Sequence, residues 1–311
     1  MGRKISFLMA VHNEEKILRQ SLEHLTKIPY ENYEVILGLD GCKDKSEEIT
    51  KKFVNKYPRI FRYFILNERK GKPEVIDKII KEAKGEIIVI NDADWFFTVK
   101  SENEMKEFVK IFDNPKIGGV AESFPPEWEL NKIKNGNLGY KMVAYSSYFW
   151  FNFQKRNFAF EKDGLLYIKN PQMFLTNIFR KELYEKNFSL GDDFERTQQI
   201  VNNGYKIILF QNPNYPKNIV IYNKVKIKEI FNQKIRTATA RKQLEEKYFS
   251  KVDIPNYYLP ATFYIFKEAW RKNLGIGLLM SAWISLTAFA TLIARFKTLD
   301  TKEGWKMRLK R

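Results

Sequence analysis

The chain has 311 residues, 44% hydrophobic and 15% aromatic, far too apolar for disorder and enough for one large core or two small ones. A formal net charge of +17 asks for an anionic partner (nucleic acid, anionic lipid or a phosphorylated small molecule) without choosing among them. A single cysteine, Cys42, excludes a disulfide or cysteine-based metal framework, and two histidines, His12 and His24, cannot build a histidine metal site.

The amino terminus carries a short apolar run, Ile5 to Ala10, which is too short for a signal-peptide core and meets polar Asn13-Glu14-Glu15 at once. It reads as a first buried strand. Further strands are predicted at Glu34 to Asp40, Arg62 to Leu66 and Glu86 to Asp92, with the first running Ile5 to Val11. Between them, Glu14 to Thr26 places Ile17, Leu18, Ser21, Leu22 and Leu25 on one helical face, and Ser46 to Tyr57 does so with Ile49, Phe53 and Val54. The alternation predicts an α/β fold with a sheet flanked by helices.

In open sheets of this kind ligands bind beyond the carboxyl ends of the strands. The residues there are Val11-His12-Asn13-Glu14-Glu15, Asp40-Gly41, Asn67 to Lys72, and Asp92-Ala93-Asp94. Each alone is ordinary turn chemistry. Taken together, Asp92 and Asp94 supply hard oxygen ligands for Mg²⁺ or Mn²⁺ against a diphosphate, and Lys70 and Lys72 flank Gly71 where a phosphate can approach the backbone.

These segments, in this order, resemble the inverting family 2 glycosyltransferases of GT-A fold. The resemblance rests on Asn13-Glu14-Glu15 after the first strand, Asp40 at the end of the second, Gly71-Lys72, and the Asp-x-Asp strand Gly85 to Asp94. A second block strengthens it: Phe179-Arg180-Lys181-Glu182-Leu183, Gly191-Asp192-Asp193-Phe194-Glu195 and Gly204-Tyr205-Lys206-Ile207. Gln233-Lys234-Ile235-Arg236 is similar to the Gln-x-x-Arg element of cellulose-synthase-like members. The resemblance implies a Rossmann-like mixed sheet and a UDP- or GDP-sugar donor touching Val11, Asn13, Glu14, Asp40, Lys72, Asp92, Gln233 and Arg236. It implies a metal on Asp92 and Asp94, Asp193 as catalytic base, and Asp192 and Phe179 on the acceptor side. Departures are His12 where Tyr is frequent, Leu39 where an acidic residue is frequent, and Thr237 where the cellulose-synthase-like branch has Trp. The last speaks against processive polysaccharide synthesis, which stays as the alternative. Asp192-Asp193 also suits the negatively charged start of a helix, and the two readings are compatible.

The stretch Asn135 to Phe160 is crowded with aromatics, among them Tyr140, Tyr148, Phe149, Phe153 and Phe160. It reads equally as a core helix and strand or as a surface for lipid or acceptor. Tyr257 to Trp270 mixes aromatics with Lys267, Arg271 and Lys272, the composition of a helix in a headgroup layer. Leu274 to Ala294 then runs 21 residues without a charge, long enough to cross about 30 Å of hydrocarbon. Gly277, Ser281 and Ser285 at four-residue spacing predict close helix packing, including packing between copies in a homo-oligomer. A basic tail (Arg295, Lys297, Lys302, Lys306, Arg308, Lys310, Arg311) follows, and a single crossing would put it on the far side from a basic catalytic domain. A crossing, a re-entrant and an interfacial course therefore stand as alternatives.

The layout expected from these readings is a nucleotide-sugar half over 1–120, an acceptor half with the base over 121–225, and a diphosphate-contacting element followed by membrane-associating helices over 226–311. The expected activity is transfer of a sugar to a polyprenyl phosphate or lipid-linked glycan at the cytoplasmic face of a cell membrane. A nucleic-acid-binding protein is the competing class. Asp40, Asp92, Asp94 and Asp193 at the strand ends count against it, since they repel phosphate unless a cation intervenes.

Overall fold

The computed structural model describes residues 2–121, 130–170, 174–209, 217–220, 224–248, 257–297 and 299. In chain order its elements are β1 (Ile5–Val11), α1 (Leu18–Leu25), β2 (Tyr33–Asp40), α2 (Ser46–Lys56), β3 (Phe61–Leu66), α3 (Lys72–Lys81), β4 (Ile87–Ile90) and β5 (Trp95–Thr98). They continue with α4 (Glu102–Lys110), β6 (Ile117–Ala121), α5 (Leu130–Asn135), α6 (Leu138–Phe158), β7 (Ala159–Lys162), β8 (Leu165–Ile168), β9 (Thr176–Arg180) and α7 (Asp192–Asn202). The last are β10 (Lys206–Leu209), β11 (Lys217–Val220), α8 (Ile227–Tyr248), α9 (Leu259–Lys272) and α10 (Leu274–Ala294). Most of the basic tail, from Lys302 on, lies outside the described residues.

Contacts divide the chain into two units, the first within Met1–Pro126, Phe160–Phe188 and Asp192–Ile221, the second within Glu127–Ala159, Ser189–Gly191 and Tyr222–Arg311. The first unit thus draws residues from both the expected nucleotide and acceptor segments, while α6 and residues 189–191 group with the C-terminal helices.

The first unit is a nine-stranded mixed sheet in the order β3-β2-β1-β4-β9-β6-β10-β8-β7, with β11 and β5 paired antiparallel beside it. β1 pairs parallel with β2 and β4, and its continuous apolar sequence fits a strand covered on both faces. Ile5, Phe7, Leu8, Met9 and Val11 are fully buried, and each such side chain contributes about 1.5–3 kcal/mol. β9 inserts antiparallel between β4 and β6, which makes the sheet mixed. Against β2, α3 packs so closely that a Cβ on Gly38 would stand 2.2 Å from Val75 Cγ1.

The first helix starts four residues later than the periodicity predicts. Asn13 takes a left-handed φ of 56°, residues 15–17 form a turn, and the amides leading into that turn are fastened to the next loop. Glu14 N donates to Ser46 Oγ at 2.7 Å and Glu15 N to Asp44 Oδ2 at 3.0 Å.

In the second unit α6, α8, α9 and α10 surround a core that includes Tyr140, Phe149, Ile230, Ile265, Met280 and Trp283. Asn137 caps α6 by accepting from Tyr140 N at 2.9 Å, and Asn273 caps α10 by accepting from Ile276 N at 2.9 Å. The core reading of the aromatic stretch holds for Tyr140, Phe149 and Phe153, whereas Tyr148 and Phe160 stay exposed. Gly277 and Ser281 of the small-residue stripe meet Trp270 of α9, so close packing occurs within the chain.

Candidate active site

The site is built where β4, α3 and α7 present their ends within the first unit. β4 stops at Ile90 because Asn91 turns the chain: its Nδ2 donates to Asp92 O at 3.0 Å and to Trp95 O at 3.3 Å. Trp95 N closes the turn on Asp92 O at 3.1 Å. The Asp92 side chain is left 45% exposed while Asp94 is buried.

Lys72 opens α3 behind Gly71, whose φ of 94° is a conformation that favours glycine. Its Nζ lies 3.0 Å from Asp92 Oδ1 and 3.3 Å from Asp192 Oδ2. One ammonium thus joins the carboxylate pair after β4 to the pair that begins α7. Burial disfavours that charge, but Asp192 and Asp92 more than offset it and raise the Lys72 pKa.

Asp192 has a second cation. Arg196, one turn on and fully buried, donates from Nη2 to Asp192 Oδ2 at 3.1 Å and to Asn187 Oδ1 at 3.2 Å. Its Nη1 donates to Thr176 O at 2.7 Å and Asn177 Oδ1 at 2.9 Å. Asp193, by contrast, is engaged by no ion pair among the described residues; its Oδ1 accepts from Phe194 N at 2.9 Å. Both residues sit in the first turn of α7, where the helix dipole favours negative charge, as the helix-start reading expects.

The two outer carboxyls titrate near neutrality. Burial, with the charge of Asp92 second, pushes Asp94 up to about 7. Burial, with the charge of Asp192 second, pushes Asp193 up to about 6, while Lys72 and Arg196 pull it back.

Other expected donor residues hold the frame. Asp40 Oδ1 accepts from Lys70 N at 2.6 Å and Oδ2 from Gly71 N at 2.9 Å, so both oxygens fasten the loop that delivers Lys72. Gly41 lies so close to that loop that a Cβ would stand 2.6 Å from Arg69 N. Asn13 Oδ1 accepts from Lys43 N at 2.8 Å, Glu14 is held through its amide, and Val11 is buried with its carbonyl accepting from Cys42 Sγ at 3.3 Å. Phe179, expected on the acceptor side, is fully buried in β9 with the Arg196 guanidinium 5.2 Å from its ring centroid, which makes it a support for Arg196. Gln233 and Arg236 lie on α8 of the second unit, where Arg236 Nη2 donates to Leu190 O at 3.3 Å.

The sequence reading missed Arg196. Its signal was the four-residue spacing from Asp192 on a helix, acidic residue first, which favours an ion pair.

Among the described residues no group of three or more His, Cys, Asp or Glu side chains forms a metal cage. Asp92 and Asp94 nevertheless fit a divalent cation of the Mg²⁺ type, which is held by one or two carboxylates together with substrate phosphates. Burial is the first cause of the rise of Asp94, and the repulsion from Asp92 that adds to it is one a bound cation would relieve.

The model of the family described as Glycosyl transferase family 2 matches residues 6–188. A curated relative, the dolichyl N-acetyl-alpha-D-glucosaminyl phosphate 3-beta-D-2,3-diacetamido-2,3-dideoxy-beta-D-glucuronosyltransferase of Methanococcus voltae, is 25% identical over 251 residues, 76% of this chain and 72% of that protein. The poly-beta-1,6-N-acetyl-D-glucosamine synthase of Staphylococcus epidermidis is 31% identical over 118 residues, which span 38% of this chain and only 27% of that protein. Among solved structures, the mannosyltransferase PcManGT of Pyrobaculum calidifontis, in complex with GDP-Man and Mn²⁺, superposes with a TM-score of 0.56 at 18% identity. That match covers 97% of this chain and 78% of the other, and it shows the shared GT-A fold.

Proposed function

The chain belongs to glycosyl transferase family 2, and on that premise we propose that it moves a sugar, with inversion, from a nucleotide diphosphate donor to a hydroxyl of a lipid-linked sugar. The observation that carries this reading is the inequality within the pair at the start of α7. Asp192 is tied to Lys72 and Arg196, whereas Asp193 beside it has no ion pair among the described residues and titrates at about 6. A carboxylate so placed is ionised at neutral pH yet basic enough to accept a proton from an attacking hydroxyl. The hydroxyl oxygen bonds to the anomeric carbon, its proton passes to Asp193, and the nucleoside diphosphate leaves on the opposite face. Lys72 and a divalent cation on Asp92 and Asp94 would offset the charge of the leaving diphosphate.

The presence of a base bears on the acceptor. A phosphate monoester is largely ionised at pH 7 and has no proton that must be removed, whereas a sugar hydroxyl does. This favours a lipid-linked sugar over a bare polyprenyl phosphate, in line with the acceptor named for the Methanococcus voltae relative. Attachment to the cytoplasmic face of a membrane is proposed for the C-terminal helices, given the uncharged span of α10. Processive synthesis is the second reading, favoured by similarity to the poly-beta-1,6-N-acetyl-D-glucosamine synthase and opposed by Thr237.

The test offers purified protein GDP- and UDP-sugars, with Mn²⁺ or with chelator, and two acceptors, polyprenyl phosphate and a polyprenyl-linked sugar. Metal-dependent addition of one sugar to the second acceptor is the expected result. Transfer to the phosphate alone overturns the acceptor reading, and a ladder of products establishes the processive one.

A further inference from the structure

Whether an apolar helix crosses a bilayer depends on what stands beside it. One side of α10 is buried along its whole length through Gly277, Met280, Trp283, Ala290 and Ala294, and the neighbours are α6, α8 and α9 of the same unit. Near its start, Trp270 of α9 covers Gly277 and donates from Nε1 to Ser281 Oγ at 3.3 Å. Near its end, Ala290 and Ala294 cluster with Ile235 and Phe231 of α8, and the Phe231 and Phe289 rings stack at 5.8 Å.

α8 cannot accompany α10 through hydrocarbon. Its 22 residues carry six basic and three acidic side chains. The Nζ of one of them, Lys234, lies 4.7 Å from the ring centroid of Trp283, which is halfway along α10, and burial, with the charge of Arg241 second, pushes this amine down to about 7. A crossing α10 would carry this ionisable amine, and with it the α8 that bears Arg236, Arg241 and Lys242, into the depth at which charged side chains are most disfavoured.

The opposite side of α10 is apolar and open. Leu274, Leu278, Phe289, Leu292 and Phe296 recur at helical spacing on one face, with Phe296 85% exposed. α9 shows the same pattern at Leu259, Phe263, Phe266 and Trp270. Between residues 257 and 297 there are five basic side chains, Lys267, Arg271, Lys272, Arg295 and Lys297, against one acidic, Glu268. That composition complements an anionic lipid surface.

We infer that α9 and α10 lie in the plane of an anionic bilayer, their open stripes at the acyl boundary and their basic residues at the lipid phosphates, and that α10 does not cross. The inference rests on the membrane attachment proposed above. It keeps Lys297 on the same side as Lys272, which removes the conflict between a basic tail and the positive-inside tendency.

The test is full-length protein in which Cys42→Ser is combined with Lys272→Cys or Lys297→Cys, probed with a membrane-impermeant maleimide in inside-out and right-side-out membrane vesicles from expressing cells. Labelling of both positions in the same vesicle orientation is expected. Labelling in opposite orientations overturns the in-plane course while leaving membrane attachment intact. In parallel, purified protein is sedimented with phosphatidylglycerol vesicles and with phosphatidylcholine vesicles. Preference for the anionic vesicles is expected, with Leu278→Glu or Phe263→Glu lowering the bound fraction about tenfold. Absence of wild-type binding to either vesicle and to cell membranes overturns the attachment reading itself, and a dimer by light scattering then assigns the apolar face to a second copy.

Discussion

The turn after β4 and the first turn of α7 each present two carboxylates, and a single lysine, Lys72, holds one from each. In both pairs the other member is raised toward neutrality, Asp94 to about 7 and Asp193 to about 6, by burial first and by its neighbour second. The pairs differ in what else holds the inner carboxylate. Asp192 has the buried Arg196 as a second, fixed cation, whereas Asp92 is 45% exposed. On the proposed function, one electrostatic arrangement would serve two ends: the pair with a complete set of fixed cations would position a base, and the half-open pair would keep room for an exchangeable cation.

The strongest way to break this comparison is Asp193→Asn. Turnover at saturating donor should fall by about 10² to 10⁴, with nucleotide and metal affinity unchanged by calorimetry. If Asp192→Asn abolishes turnover while Asp193→Asn leaves it intact, the two residues exchange roles. Arg196→Met tests the fixed cation set. Removing one partner from a buried ion pair should lower the unfolding free energy by about 3–5 kcal/mol in chemical denaturation, and Arg196→Lys should recover only part of it, because an ammonium cannot reproduce the four guanidinium bonds.

The half-open pair is tested by Asp94→Ala, which should weaken nucleoside diphosphate binding in Mn²⁺ by about 10- to 100-fold and remove its sensitivity to chelator. Equal affinity of the parent protein with and without chelator would falsify the metal reading. Smaller effects follow from titration. At saturating metal, kcat/KM should fall as pH drops through about 6, because Asp193 must be ionised to act. Lys72→Met should move that limb to higher pH, since the Lys72 charge holds Asp193 down.

The smallest effect is on stability. Asp94 has a folded pKa of about 7, above its unfolded value near 4, so its contribution is fully present below about pH 4 and is lost as pH rises through about 7. Metal-free Asp94→Asn should therefore be more stable than the parent at pH 7.5 and gain less at pH 4.5, as read by denaturation at the two values.

Much of the scaffold was legible. β1 spans the residues its apolar run predicts, and Asp92 after β4 and Asp192 of α7 are brought to one lysine, Lys72. Hidden features depended on where backbone amides and distant side chains go. The oxygens of Asp40 are occupied by amides 30 and 31 residues away, and Asp44 Oδ2 ties the Glu15 amide to the loop before α2. Nothing in the sequence reading singles out Arg196, and only the family resemblance puts Phe179 on the acceptor side, but both are buried, Phe179 within β9 in the middle of the sheet and Arg196 against its ring. For α10, length and composition were visible, whereas the charged helix along its side is a tertiary fact.

The position of β9 also governs when the molecule can assemble. β4 and β6 do not pair with each other; β9, more than fifty residues later in the chain, supplies the partner for both. During synthesis, a nascent chain that has emerged only as far as β6 therefore presents two strands with unpaired edges, the kind of template on which strands of other chains add. The join requires closing a long loop, so it should be slow relative to the local β1-β2-β3 pairing. Expression trials that stop near residue 121 should give aggregates, and those that run on through β9 to the end of α10, which also covers α6, should give folded protein.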